Sequence, residues 1–279
     1  METGKPSRTA LRVAIRRVAH QIADPPSVLD DPIALRLIGP GYENDLERAM
    51  HPVGRDFRSF MAARSRYAED HLAQSIAAGV CQYVILGAGL DTFAYRNPFP
   101  HIRVFEVDFP ATQAWKRSLL ANASIQLPAN LIFVPLDFEH KTLAAGLAEA
   151  GFDAGRPAFF SWLGVVPYLT LDAFRATLET IARLPAGTGV SFDYGVPRHA
   201  LSLMGRMAFD RLAARVAAAG EPFRLFFTPQ ELEDEFRRAG FHRSEQRGSQ
   251  ELNAMYFAGR ADGLKLPGQG MGRMATAWV

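Results

Sequence analysis

Cysteine is almost missing: Cys81 is the single one among 279 residues. That excludes an internal disulfide and a cysteine-built metal cluster, and the cytoplasm is the simplest compartment for such a chain. Long apolar runs are lacking too. No stretch can span a bilayer and none reads as a signal peptide, so no membrane partner is expected. Charge of one sign is also lacking: 31 Lys+Arg against 29 Asp+Glu leaves a net +2. Both signs are spread along the chain with no basic run or stripe, which argues against a nucleic-acid partner. Metal-ligand spacing, a P-loop and a nucleophilic serine elbow are absent, and no metal is expected. What the chain does have is 48% apolar content, enough for a sizeable core.

Tyr83-Val84-Ile85-Leu86 runs unbroken into Gly87-Ala88-Gly89-Leu90-Asp91-Thr92. Four apolar residues in a row suit a central parallel strand buried on both faces. Gly87 and Gly89 permit a tight turn and let a ligand approach the backbone closely. Asp91 or Thr92 can then cap the following helix. Such a strand–turn–helix reads as a nucleotide-type cofactor site. A dinucleotide fingerprint would carry a third glycine, where this chain has Thr92 preceded by Asp91. A carboxylate there repels a pyrophosphate but suits a cationic cofactor without phosphate. S-adenosylmethionine (SAM) is therefore favoured over a nicotinamide dinucleotide, with S-adenosylhomocysteine (SAH) as its product.

Upstream, residues 10–23 read as an amphipathic helix through Leu11, Ile15, Val18 and Ile22, with a short helix through about Leu37 started by Pro32. A long helical pattern over 57–78 ends at Gly79. Residues 1–80 thus form a mostly helical leader, whose first nine residues are expected to be mobile. Strands are predicted at 83–86, 103–108, 131–135, 157–162 and 188–194, with helices near 110–121, 140–150 and 171–183. This alternation implies right-handed crossovers and an α/β fold with a parallel sheet covered on both faces. Residues 198–220 interrupt it as a helical lid insertion, an ordinary packing helix being the alternative. Thr228-Pro229 starts a helix ending at Gly240, 241–248 and 252–260 are expected as a terminal strand pair, and the last residues form a loose tail. The division is one domain over 1–279: leader 1–80, core 81–262 and tail 263–279.

Two strand ends carry carboxylates. Glu106 and Asp108 alternate onto one side of the strand 103–108. An acid about twenty positions past the glycine turn suits a ribose diol. Asp137-Phe138 repeats the arrangement one strand later: a carboxylate for an adenine amino group and a ring to stack on the base.

These blocks resemble the leucine carboxyl methyltransferase family of class I SAM-dependent methyltransferases, whose bacterial branch contains many O-methyltransferases. The resemblance rests on Leu86 to Thr92 with Tyr95-Arg96, on Phe105-Glu106-Val107-Asp108-Phe109-Pro110 and on Lys116. It continues in Ser7 to Ala10, Asp31 to Ala34, Arg64 to Tyr67, Tyr168-Leu169, Phe192-Asp193-Tyr194 and Phe257 to Arg260, and covers about residues 7–266. It implies a Rossmann-like fold with a mostly parallel seven-stranded sheet. It also implies that Gly87, Ala88 and Gly89 contact the methionine part of SAM, that Asp108 binds the ribose, and that Asp137 and Phe138 flank the adenine. Arg64 would grip the SAM carboxylate, with Arg66 a competitor and Arg8 a weaker second partner. A guanidinium suits that task because it holds a carboxylate bidentately.

One departure stands out. Many relatives carry Glu-Gly where this chain has Leu163-Gly164, so a side-chain carboxylate near the SAM ammonium is missing. Backbone carbonyls at Trp162 and Leu163, or Asp91, are the expected substitutes, and a protein-phosphatase C-terminus becomes a doubtful substrate. Tyr168 and Trp162 are the candidates to face the acceptor. A carboxylate acceptor is ionised at neutral pH and needs no base, whereas a hydroxyl wants one, usually histidine. Of the seven histidines only His199, in the lid segment, has a plausible reach. The sequence thus reads as a SAM-dependent O-methyltransferase of a small-molecule or peptide carboxylate, with natural-product metabolism as one setting. Hydroxyl O-methylation is the alternative; an NAD-type oxidoreductase and a non-catalytic SAM-binding protein are those of a different class. Oligomeric state is not legible.

Overall fold

A computed structural model describes residues 8–279 except 139, 219, 221 and 269. The mobile start expected for the leader falls mostly outside the described residues, as does the Arg8 side chain. Four helices lead in: α1 (Arg8–Ala23), α2 (Pro32–Ile38), α3 (Glu43–Met50) and α4 (Arg55–Ala77). Then come β1 (Gln82–Leu86), α5 (Phe93–Arg96), β2 (Arg103–Asp108), α6 (Pro110–Asn122), β3 (Leu131–Pro135), α7 (Leu143–Glu149), β4 (Phe159–Trp162), α8 (Leu171–Ala182) and β5 (Gly189–Gly195). The chain finishes with α9 (Leu203–Ala218), α10 (Pro229–Ala239), β6 (Arg243–Arg247), α11 (Ser249–Tyr256) and β7 (Gly272–Trp278).

The seven strands form one sheet in the order β3-β2-β1-β4-β5-β7-β6. Strands β1 to β5 pair in parallel, while β7 runs antiparallel to both β5 and β6. Every residue of β1 is buried, as its unbroken apolar run predicts. The chain crosses outward from β1 through β2 to β3 and then returns to the other side of β1 for β4. The order therefore reverses between β1 and β4, and an open α/β sheet has its ligand crevice outside the carboxyl ends of such a pair.

Two expectations for the last third are corrected. Residues 252–260 are not a strand: α11 occupies that stretch, opened by Gly248, whose N–H donates to the Glu251 carboxylate at 2.7 Å. Its place as the strand partner of β6 is taken by residues expected to form a loose tail. Strand β7 fills the gap between β5 and β6, with Met274 to Ala277 buried. Helix α4 packs against both β5 and β7 and buries Arg64 and Tyr67 in doing so. The leader is thereby fixed on the sheet immediately above the crevice.

Candidate cofactor site at the β1–β4 crevice

Gly87 and Gly89 both adopt positive φ, +64° and +48°, a region where a side chain costs roughly 1–2 kcal/mol. Space forbids a side chain as well. A Cβ on Gly87 would come within 2.5 Å of Val165 Cγ2 and one on Gly89 within 3.0 Å of Ala10 Cβ. The turn after β1 is thus held between the loop after β4 and the start of α1. Ala88 is buried and donates its N–H to the Val107 carbonyl at 3.1 Å, which sets the turn against the end of β2.

Asp108 closes that arrangement. One carboxylate oxygen accepts from the Gly89 N–H at 2.5 Å and the other from the Phe109 N–H at 2.6 Å. Burial pushes its pKa up, and the two backbone donors hold it down in part. Its backbone carbonyl accepts from Leu136 N–H at 2.9 Å, which sets Asp137 at the neighbouring strand end. Phe138 beside it is 59% exposed. Glu106 belongs elsewhere: it lies wholly inside, 2.6 Å from Lys116 Nζ. Desolvation raises its pKa to about 7 against the opposing pull of Lys116.

On the other side of the crevice Arg64 is buried at 5% exposure. Its Nη1 donates to Asp193 Oδ2 at 2.9 Å, while Asp193 Oδ1 accepts from the Gly164 N–H at 2.5 Å. The terminal nitrogens Nη1 and Nη2 lie 3.0 Å from where a Cβ on Gly164 would stand, and its φ of +72° also favours glycine. Arg64 Nε is buried with no hydrogen-bond partner, an unusual state for so polar an atom. A ligand carboxylate is the kind of group that would satisfy it. Arg66, the competitor, points away and bonds Asp70 at 2.7 Å in an exposed pair.

Several expected roles are redrawn. Asp91 is already engaged: its Oδ1 accepts from Phe93 N–H at 2.8 Å and Oδ2 lies 3.7 Å from Arg17 Nη1. It is tied to the first residue of α5 and is no free substitute for a missing glutamate. Trp162 does not face an acceptor. It is 4% exposed and stacks on Phe174 at 5.8 Å in the core. Leu163 packs against the apolar cluster to which Ala63 and Tyr67 of α4 belong. Tyr168 stays half-buried at the crevice rim. His199 sits on the surface in the single turn Arg198–Ala200 after β5.

Other residues at the turn escape pattern reading. Arg17 of α1 donates to the Leu90 carbonyl at 2.8 Å, and Asp31 accepts from Thr92 Oγ1 at 2.6 Å while capping α2. Arg96 adds a bidentate pair with Glu69 of α4. The Asp31-Pro32 block was a visible signal, but it read only as a helix start. Asp193 was visible only within the Phe192-Asp193-Tyr194 block of the resemblance, with no role attached, since its partner lies 129 positions away.

The family profile of leucine carboxyl methyltransferases matches residues 10–182. The chain belongs to the leucine carboxyl methyltransferase family. A Bacillus subtilis (strain 168) relative bearing the name "Putative S-adenosyl-L-methionine-dependent methyltransferase YktD" is 31% identical over 95% of both chains. A Mycolicibacterium vanbaalenii protein with the same descriptive name is 36% identical over 68% of this chain and 67% of its own. A methyltransferase-titled crystal structure from Thermobifida fusca YX superposes with a TM-score of 0.60 at 18% identity, covering 99% of this chain and 96% of that one. At that identity the likeness speaks for the fold alone. Membership in this family makes the protein a methyltransferase with SAM as its methyl donor, and the nicotinamide reading falls away. No described helix is long and apolar enough to cross a membrane.

For a leucine carboxyl methyltransferase relative built this way, Asp108→Ala is expected to weaken SAH binding by roughly 1.5–3 kcal/mol, the range for a charged acceptor. The variant also loses the acceptor of the Gly89 and Phe109 N–H groups, so urea unfolding is measured beside the binding. Calorimetric titration checks this, and an unchanged affinity in the folded variant would remove Asp108 from the ribose.

Proposed function

We propose that the protein transfers the methyl group of SAM to a carboxylate oxygen, making a methyl ester, and that Arg64, Gly87, Gly89, Asp108, Asp137 and Phe138 hold the donor. The residues present fit it: two glycines with no room for a Cβ, an orphaned buried Arg64 Nε and a carboxylate at the strand tip beside the turn. When bound, SAM supplies an electrophilic methyl carbon whose bond to sulfur breaks as the acceptor oxygen attacks in line, the electron pair staying on sulfur. The protein's part is alignment and exclusion of water, which can carry most of such a rate.

The observation that carries the carboxylate reading is the placement of the histidines. His20 is buried against Asp24, and His71 is held by Glu245. His51 caps a turn of the leader, and His101, His140, His199 and His242 are exposed. Among the described residues none is bonded at the crevice. Asp193, the carboxylate nearest Gly164, is already paired with Arg64. A carboxylate acceptor needs no proton removed at neutral pH. His199→Ala is therefore expected to leave turnover within about twofold of the parent. A loss of 10²–10⁴, the usual worth of a general base, would establish His199 in that role and favour a hydroxyl acceptor.

A further inference from the structure

Beside the crevice lies an aromatic strap that the cofactor residues do not use. Ahead of α10, residues 223–228 cross the carboxyl ends of β4 and β5. Arg224 and Leu225 donate their N–H groups to the Pro167 carbonyl at 2.7 and 3.2 Å, and Phe227 donates to Gly195 at 3.0 Å. Leu225 and Phe227 anchor the strap in the core at 8% and 4% exposure. Phe223 and Phe226 stay half-buried and join two further rings. Phe223 lies 5.3 Å from Tyr168, and Phe226 lies 5.4 Å from Phe209 of α9. The Phe226 ring rests directly on the β5 backbone, 3.1 Å from where a Cβ on Gly195 would stand. Gly195 is two residues beyond Asp193, which holds Arg64. The rings therefore border the side of the crevice that the cofactor residues leave unlined.

The helix over this cluster is poorly covered. Among the described residues of α9 only Val216 is buried, while Leu203 and Met204 are each 73% exposed and Met207 46%. Flexible methionines and half-buried rings adapt to apolar ligands of varied shape. Among the described residues of α9 and the strap, Asp210 is the one carboxylate, against Arg206, Arg211, Arg215 and Arg224. Arg206 donates to backbone carbonyls, and Asp210 is committed to Arg198. Among the described residues no ion pair engages Arg211, Arg215 or Arg224. Rings alone would suit any hydrocarbon and arginines alone any anion. Together they select a molecule with both parts.

Resting on the carboxylate reading above, we infer that the acceptor is a carboxylic acid with an extended apolar body, seated on Tyr168, Phe209, Phe223 and Phe226 beneath α9. Arg224 attracts its charge, and the carboxylate reaches the crevice between Gly87 and Gly164.

The test titrates the SAH-saturated protein calorimetrically with butyrate, octanoate, dodecanoate, dodecan-1-ol and dodecylamine. Each buried methylene is worth about fourfold in affinity, so octanoate should bind on the order of a hundredfold tighter than butyrate. Dodecylamine should bind at least about tenfold more weakly than dodecanoate, by the charge sign. Phe223→Leu and Phe223→Ala should weaken dodecanoate progressively, with SAH binding intact as the control for folding. Arg224→Gln should weaken dodecanoate and spare dodecan-1-ol. Equal affinities along the acid series, or for acid and amine, would overturn the inference. So would a dimer that buries α9 and is broken by Met204→Glu. If no acid binds while SAH still does, the apolar seat is wrong and a small polar acid remains as acceptor. If SAM turnover makes an ether from dodecan-1-ol and no ester from dodecanoate, the carboxylate reading itself fails.

Discussion

Arg64→Ala is expected to cost about 3–5 kcal/mol of stability, the range for leaving one member of a buried ion pair alone. Asp193 is 7% exposed and would keep only the Gly164 N–H as a partner. The same change should weaken SAH binding, by roughly 1.5–3 kcal/mol, because a charged donor to the ligand carboxylate is lost. Arg64→Lys separates the two effects. It retains a positive charge for Asp193 but loses the planar fork that meets two acceptors at once. The lysine variant should therefore recover most of the stability and little of the affinity. Urea unfolding reports the first quantity and calorimetric SAH titration the second. Full SAH affinity in a folded Arg64→Lys protein would show that the arginine serves the fold alone.

Lys116→Met should be the most damaging change away from the crevice, again about 3–5 kcal/mol. Lys116 and Glu106 are both fully buried, 2.6 Å apart, and Glu106 Oε1 already has no partner. Glu106 also gives stability a pH dependence of definite sign. Its folded pKa is raised to about 7 by desolvation, whereas an unfolded glutamate titrates near 4.3. Between those values the folded chain holds a proton that the unfolded chain has released. Stability from this group is therefore largest at low pH and declines as pH rises towards 7, by about 3 kcal/mol at 1.36 kcal/mol per unit. Without Lys116 the decline should extend above pH 7. Denaturant unfolding at pH 5, 6 and 7 checks the sign. A Lys116→Met protein that is equally stable across that range would contradict the raised folded pKa of Glu106.

The parallel half of the molecule was legible because its strands are long apolar runs separated by amphipathic helices, the pattern that buried crossovers require. Strand β7 hid because its small residues suit its surroundings and not the strand propensity scale. Gly272-Arg273-Met274-Ala275-Thr276-Ala277-Trp278 begins at a glycine that a Cβ would drive within 2.6 Å of Phe60. Tertiary pairing on both sides, with β5 and β6, makes it a strand. Helix α11 was the more readable miss, since Glu251 three places after Gly248 is a capping signal. The meeting of the Gly87–Gly89 turn with Asp108 was legible through spacing. Trp162 was misplaced because an aromatic at a strand end serves core and crevice equally well by sequence. The clasp of Arg17, Asp31 and Asp193 was not legible, since contacts across 73, 61 and 129 positions leave no local trace.

The most direct test of the central claim supplies methyl-labelled SAM with an acid acceptor and follows label into product across pH 6 to 8, in single turnover. A carboxylate nucleophile titrates near pH 4, so the rate should be flat over this range and the label should be released by mild base, as from a methyl ester. A base-stable ether, formed at a rate that falls as pH drops through about 6.5, would contradict the account and assign the chemistry to a hydroxyl deprotonated by histidine.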